Sequence, residues 1–191
     1  EFTLRDGVKW HDGKPLTIED VKFSFDAIMD PTNKYHTADK KSYFENIKSA
    51  EILAPNKIKF VAGKPYFDNF SVVAGGLGVV PMHLYKDPSK EQEKLLNKTL
   101  VGTGPYILDS FDRAKNIILK KNSAWWGNSL PEKKGIYNTN TITMRFIKEN
   151  SVAIPTLEKG DINYLGLCSE DYMKKSNGPK WGKEVIKVKT Q

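Results

Sequence analysis

Residues 17–31 constrain this chain more than any other stretch. Thr17-Ile18-Glu19-Asp20 opens it, Val21, Phe25, Ile28 and Met29 recur along it, and Asp30-Pro31 closes it. A threonine hydroxyl at the first position can accept from an exposed backbone N–H, and the two carboxylates suit the positive end of a helix dipole. The apolar residues fall on one side at helical spacing, and the proline stops the run. One face of this helix has to be buried. Many of the segments around it do not share its period but alternate every second residue, so the helix is laid on strands. That makes the fold class α/β, of the mixed α+β kind.

The alternating segments come in pairs joined by turn residues. Phe2 and Leu4 alternate with Thr3 and Arg5 as a short strand. In Val8 to Leu16, Asp12-Gly13 supplies the positive φ of a tight turn, which lets Trp10 and Leu16 face each other across it. A hairpin is predicted from Ala50–Leu53 and Lys57–Val61, joined at Ala54-Pro55-Asn56, with Ile58 and Phe60 on one face. Residues 32–47 read as a loop leading into a short helical piece, and Pro65 to Phe70 as the start of a helix. Val72 to Val80 is the most apolar run and holds three glycines, which predicts a buried segment whose backbone lies close to something else. Pro81 to Tyr85 begins another helix, and exposed lysine-rich sequence runs on to Leu100.

Charge changes near residue 100. Residues 1–100 carry 15 basic and 14 acidic side chains, and residues 101–191 carry 15 and 9. Two regions are therefore expected, 1–100 and 101–191. The second repeats the hairpin pattern, with strands Tyr106–Asp109 and Asn116–Lys120 joined at Asp112-Arg113-Ala114-Lys115. Trp125-Trp126 is expected as a half-buried pair behind that hairpin, followed by a strand through Ile142, Met144 and Phe146. Ser151 to Lys159 has helical spacing despite Pro155, Asp161 to Leu165 returns to a strand, and Glu184 to Lys189 alternates like another.

Several functions lack the residues they require. Cys168 stands alone, so neither an internal disulfide nor a thiolate zinc cluster can be built. His11, His36 and His83 have no metal-ligand spacing, and no glycine-rich phosphate loop is present. Carboxylates, hydroxyls and histidines form no recognisable catalytic set, so the expectation is no enzyme, no metal and no cofactor. No stretch reaches the roughly 18–20 apolar residues of a membrane span. The chain starts at Glu1-Phe2-Thr3 without a leader and stops within an alternating run, and it reads as a fragment at both ends.

The order of the motifs points further. Leu4-Arg5-Asp6-Gly7-Val8-Lys9-Trp10-His11-Asp12-Gly13-Lys14-Pro15-Leu16-Thr17-Ile18-Glu19-Asp20-Val21 resembles the most characteristic segment of the extracellular solute-binding proteins of family 5, the peptide- and nickel-binding subunits of ABC importers. Gly102 to Tyr106, Asn122 to Gly127, and Leu157-Glu158-Lys159-Gly160-Asp161-Ile162 resemble three further signatures in the family's order. The loop from Gly127 to Asn138 resembles the branch that takes up modified peptides, microcin-type or murein-derived. Pro155 and Cys168-Ser169-Glu170 depart from the pattern.

The resemblance implies a fragment of a two-lobed, periplasmic-binding-protein-like fold. Residues near 1–100 would be the small accessory domain and residues near 101–191 a truncated part of lobe I. A chain without the second lobe would bind ligand poorly or not at all. The implied function is capture of peptides, modified peptides or another small-molecule ligand by lobe closure, with delivery to an ABC permease in the inner membrane. The implied protein is a monomer, periplasmic or anchored on the outer face of a membrane, with no nucleic acid as partner.

By the same resemblance the ligand-facing residues are Gly75, Gly76, Leu77 and Gly78, where glycines let a peptide backbone come close; Tyr66 and Phe67, read from their aromatic character alone, are expected as an apolar pocket wall. Each has a plain alternative in ordinary core packing. A rival function, binding to nucleic acid or an anionic surface, is prompted by a pI of about 9.3 and the basic second half. Against it, Arg5, Arg113 and Arg145 are far apart and the lysines are scattered rather than clustered.

Overall fold

The computed structural model describes residues 1–96, 98–175 and 180–181. The predicted strand at 184–189 lies outside them. The chain folds as two compact units, one made of Glu1–Phe111 and Ile117–Thr143, the other of Asp112–Asn116 and Met144–Gln191.

The core of the first unit is a helix on a small sheet. Strand β1 (Phe2–Thr3), helix α1 (Ile18–Met29), a four-residue helix α2 (Ala38–Lys41), strands β2 (Ile47–Ala54) and β3 (Lys57–Ala62), and helix α3 (Asn69–Gly76) follow in order. The sheet order is β1-β3-β2, antiparallel throughout, with Phe2 opposite Ile58 and Ala50 opposite Phe60. The predicted face of α1 is the buried one: Val21, Phe25 and Ile28 join Ile18, Phe44, Ile47, Ile58 and Val73 in one cluster, with Met29 packed against it. Phe25 meets Phe44 and Phe60 edge to face at 6.3 and 5.5 Å. Each such buried side chain contributes about 1.5–3 kcal/mol, which suffices to seat a 12-residue helix that would be marginal alone.

Three local expectations are corrected. The Asp12-Gly13 turn forms, with Gly13 at φ 86°, but the bridge pairs Lys9 with Pro15, and Leu16 lies opposite Val8. Trp10 does not face Leu16; its backbone pairs with Lys14 while its indole turns inward to Asp20. The apolar run from Val72 is not a buried segment: it completes α3 and then extends from Leu77. Only Val73 in it is fully buried, while Val72, Leu77 and Val79 pack partly against the core and Gly75, Gly76 and Gly78 are exposed. The glycines interrupt the apolar pattern on one side, leaving a stripe rather than two covered faces. Asp161 to Leu165 forms no strand, and Tyr164 is 81% exposed; among the described residues it has no strand to pair with.

Short helices α4 (Met82–Tyr85) and α5 (Lys90–Leu96) carry the chain across the surface to the second hairpin, β4 (Tyr106–Asp112) and β5 (Asn116–Lys121). Strand β6 (Thr141–Arg145) completes a sheet ordered β4-β5-β6. In the second unit, α6 (Asn150–Glu158) buries Ala153 and Ile154 and tolerates Pro155, and Gly160 at φ 83° follows its last turn. Helix α7 (Ser169–Lys175) is tied back by a hydrogen bond from Asn150 to Asp171.

Candidate functional site

The segment from Gly63 to Asn69 crosses from β3 to α3 and is held by two amides. The Asn46 side-chain nitrogen donates to the Lys64 carbonyl at 2.9 Å and to Asn69 Oδ1 at 2.7 Å, and Asn69 Nδ2 donates to the same Lys64 carbonyl at 3.1 Å. The Gly63 N–H adds a bond to the Asn46 carbonyl at 2.7 Å. These bonds fix a groove of about 540 Å³ lined by Tyr43, Asn46, Lys48, Lys64, Tyr66 and Asn69, among others.

Of the six residues expected to face a ligand, Tyr66 lines this groove and is 52% exposed. Phe67 sits against it at 4.6 Å between ring centroids and is 88% exposed, and Phe70 stacks on Phe2 at 5.8 Å. Gly75, Gly76, Leu77 and Gly78 do not line it. They lie at the far end of α3, roughly 12 Å along the helix from its start. A Cβ added at Gly75 or Gly78 would meet nothing within 4 Å, and one at Gly76 would reach only Phe44 at 3.7 Å. Packing therefore does not demand glycine here; its effect is to leave backbone uncovered.

A second feature was hidden in sequence. The turn Trp10-His11-Asp12 ties three distant segments together. Buried Asp20 accepts from Trp10 Nε1 at 3.2 Å, from the Thr17 N–H at 2.9 Å and from the Met82 N–H at 2.8 Å. His11 accepts from the Gly102 N–H at Nδ1, 3.1 Å, so its hydrogen is on Nε2, which donates to the Gly104 carbonyl at 3.0 Å. Asp12 accepts from His83 Nε2 at 2.6 Å. Partial burial raises the Asp12 pKa, but hydrogen bonds from His83 and the Lys14 N–H and the charges of both side chains outweigh it and hold the carboxyl below its ordinary value. The Thr-x-x-Asp spacing signals a helix start, yet nothing local reveals that its carboxylate also reaches residues 10 and 82.

The remaining candidates lie elsewhere in the fold. Trp125 is buried against Tyr137 and Gly127, and Trp126 donates to the Thr103 carbonyl at 2.9 Å with the Arg5 guanidinium 5.6 Å over its ring. A wider groove of about 740 Å³ runs along the outer side of α1, but Lys22 pairs with Asp26 there and Lys34 with Asp87. Cys168 is exposed near Asp171. Among the described residues no three His, Cys, Asp or Glu side chains are grouped to hold a metal, and no helix is long and apolar enough to cross a membrane.

A family model described as bacterial extracellular solute-binding proteins, family 5 Middle, matches residues 1–185. The peptidoglycan-binding protein YepA of Agrobacterium fabrum is 26% identical over 164 residues, covering 85% of this chain and 26% of its own length. The crystal structure of NikZ from Campylobacter jejuni in complex with Ni(L-His) superposes with a TM-score of 0.68 at 31% identity, covering 84% of this chain and 30% of that one. AppA from Bacillus subtilis, in complex with a nonapeptide, gives 0.69 at 25% identity, covering 92% and 33%. The chain spans about a quarter of the length of the first curated relatives it matches. Its fold is thus a part of the one these binding proteins share.

Proposed function

The chain belongs to the bacterial extracellular solute-binding proteins of family 5, and from that membership we propose that it works as part of the substrate-binding subunit of an ABC importer. The protein captures peptides or modified peptides by closure of two lobes and presents them to a membrane permease; no bond is made or broken. The family match over residues 1–185 is the observation that carries this reading. AppA's nonapeptide and the peptidoglycan named for YepA support a peptide-type ligand, and the resemblance of the loop from Gly127 to Asn138 is the ground for the modified-peptide branch. In this reading residues 1–100 serve as accessory domain and 101–191 as part of lobe I. Tyr66 and Phe67 present an aromatic wall, and Gly75, Gly76, Leu77 and Gly78 offer bare backbone to an extended ligand. The protein acts as a monomer outside the cytoplasmic membrane.

The described residues do not favour the anionic-surface alternative. Lys22, Lys34, Lys59 and Lys120 each lie at ion-pair distance from a carboxylate, which offsets the positive charge locally instead of presenting it as a stripe. Mass spectrometry of small molecules that co-purify with the protein from its native host tests the proposal. A series of peptides is expected. Recovery of nucleic acid alone, with no peptide, would overturn it.

A further inference from the structure

We infer that Asp6-Gly7 is a site of spontaneous isoaspartate formation, and that the fold shields the second Asp-Gly pair, Asp12-Gly13, from the same reaction. The inference needs nothing from the importer reading, because it concerns the chemistry of the main chain itself.

In this reaction the backbone nitrogen of the residue after an aspartate attacks the side-chain Cγ. A C–N bond forms, a carboxyl C–O bond breaks, and the amide hydrogen leaves with the carboxyl hydroxyl as water, giving a succinimide. Water then reopens the ring. Opening at the former main-chain carbonyl leaves the chain running through the aspartate side chain, with no net change in composition or oxidation state. Glycine in second place favours the attack, because no Cβ crowds the nitrogen and the backbone turns freely.

The two pairs share the features that usually set the rate. Both are exposed, and their glycines hold positive φ of 75° and 86°. Hydrogen bonding separates them. The Gly13 N–H, whose nitrogen would be the nucleophile, donates to the Trp10 carbonyl at 2.9 Å. Asp12 Oδ2 accepts from His83 Nε2 at 2.6 Å and Oδ1 from the Lys14 N–H at 3.1 Å, so both carboxylate oxygens are held. Partial burial of Asp12 works the other way, but these bonds outweigh it and keep the carboxyl below its ordinary pKa; an ionised carboxylate has no hydroxyl to lose. At the first pair no such restraint exists. Among the described residues neither the Asp6 carboxylate nor the Gly7 N–H has a hydrogen-bond or ion-pair partner, and a Cβ added at Gly7 would meet nothing within 4 Å.

The first pair also sits where a longer main chain would be felt. The Leu4 N–H donates to the Asn56 carbonyl at 2.7 Å, and the carbonyl of buried Val8 accepts from the Leu16 N–H at 3.0 Å. Residues 5–7 therefore link two fixed points, and isoaspartate at position 6 lengthens that link by one main-chain atom.

The test incubates the 191-residue chain at neutral pH, folded and in urea. Isoaspartate is located by proteolysis and electron-transfer mass spectrometry, and counted by enzymatic methyl transfer from S-adenosylmethionine. In the folded protein position 6 is expected to convert at least about tenfold faster than position 12, because several hydrogen bonds must break before Asp12 can react. In urea the two rates should come within about threefold of each other. His83→Ala should raise the rate at position 12 and leave position 6 unchanged. Isoaspartate absent from position 6 of the folded protein, or equal rates at the two positions there, would overturn the inference. So would a preference of the same size in urea, since the difference would then lie in the neighbouring sequence and not in the fold. A rate at position 12 unmoved by His83→Ala would overturn the shielding.

Discussion

Replacing Asp20 by asparagine changes one atom, and its cost follows from three hydrogen bonds. The carboxylate is 4% exposed; Oδ2 accepts from Trp10 Nε1 and the Thr17 N–H, and Oδ1 from the Met82 N–H. An amide has a single acceptor oxygen. Placed at the Oδ2 position it keeps Trp10 and Thr17 but turns its own NH₂ against the Met82 N–H, leaving two donors face to face. The reverse placement orphans the indole, whose residue is 3% exposed. Either way at least one donor loses its partner in a poorly solvated place, at about 1–3 kcal/mol. Asp20→Ala removes every acceptor and should cost about 3–5 kcal/mol, a large share of a total stability of roughly 5–15 kcal/mol. Urea unfolding followed by tryptophan fluorescence measures both. With a slope of about 2 kcal/mol/M, the asparagine variant should shift the midpoint down by roughly 0.5–1.5 M. Adding Trp10→Phe removes one of the competing donors, so the double variant should fall short of the sum of the singles. An Asp20→Asn midpoint within about 0.2 M of the parent would refute the idea that this carboxylate holds the three segments together.

Two further outcomes are expected. A Cβ at Gly127 would lie 2.4 Å from the Trp125 ring, so Gly127→Ala should destabilise by about 1–3 kcal/mol; an unchanged melting curve would mean that the ring moves aside freely. The lowered pKa of Asp12 means the folded state favours its charged form, so its contribution is present above the ordinary aspartate pKa near 3.9 and is lost as pH falls through the lower folded value. Between about pH 6 and about pH 3 the stability gap between the parent and Asp12→Asn should therefore narrow, and a constant gap would exclude the His83 contact as its source.

What the sequence made legible was whatever one element decides alone. The spacing of Val21, Phe25 and Ile28 located α1 and its buried face, and the turn residues at Ala54-Pro55-Asn56 located the β2–β3 hairpin, because each pattern lies within a few residues of itself. The run from Val72 misled because hydrophobicity without a period does not say how much of a segment is covered; the burial of Val73 alone was decided by Phe44 and α1 from elsewhere. The same limit applies to the grooves. Tyr66 stood out as an aromatic, but its companions Tyr43 and Asn46 come from a loop some 20 residues earlier, and only the folded β2–β3 hairpin brings them alongside. Gly75 to Gly78 had the right composition for close backbone approach but lie at the other end of α3 from that groove.

The grip of residues 102 and 104 on the His11 ring bears on how the chain is made. Its partners lie 91 and 93 positions downstream, so the imidazole stays unmatched until the ribosome has released residue 104 into free space. Helix α1, the β2–β3 hairpin and the Trp10 turn can form from neighbours as they emerge, whereas the His11 ring must wait for contacts of long sequence separation, the slowest kind to close. Synthesis that halts before residue 104 would leave a nascent chain with its helix, its sheet and the Trp10–Asp20 bond assembled and the His11 ring still without its two backbone partners.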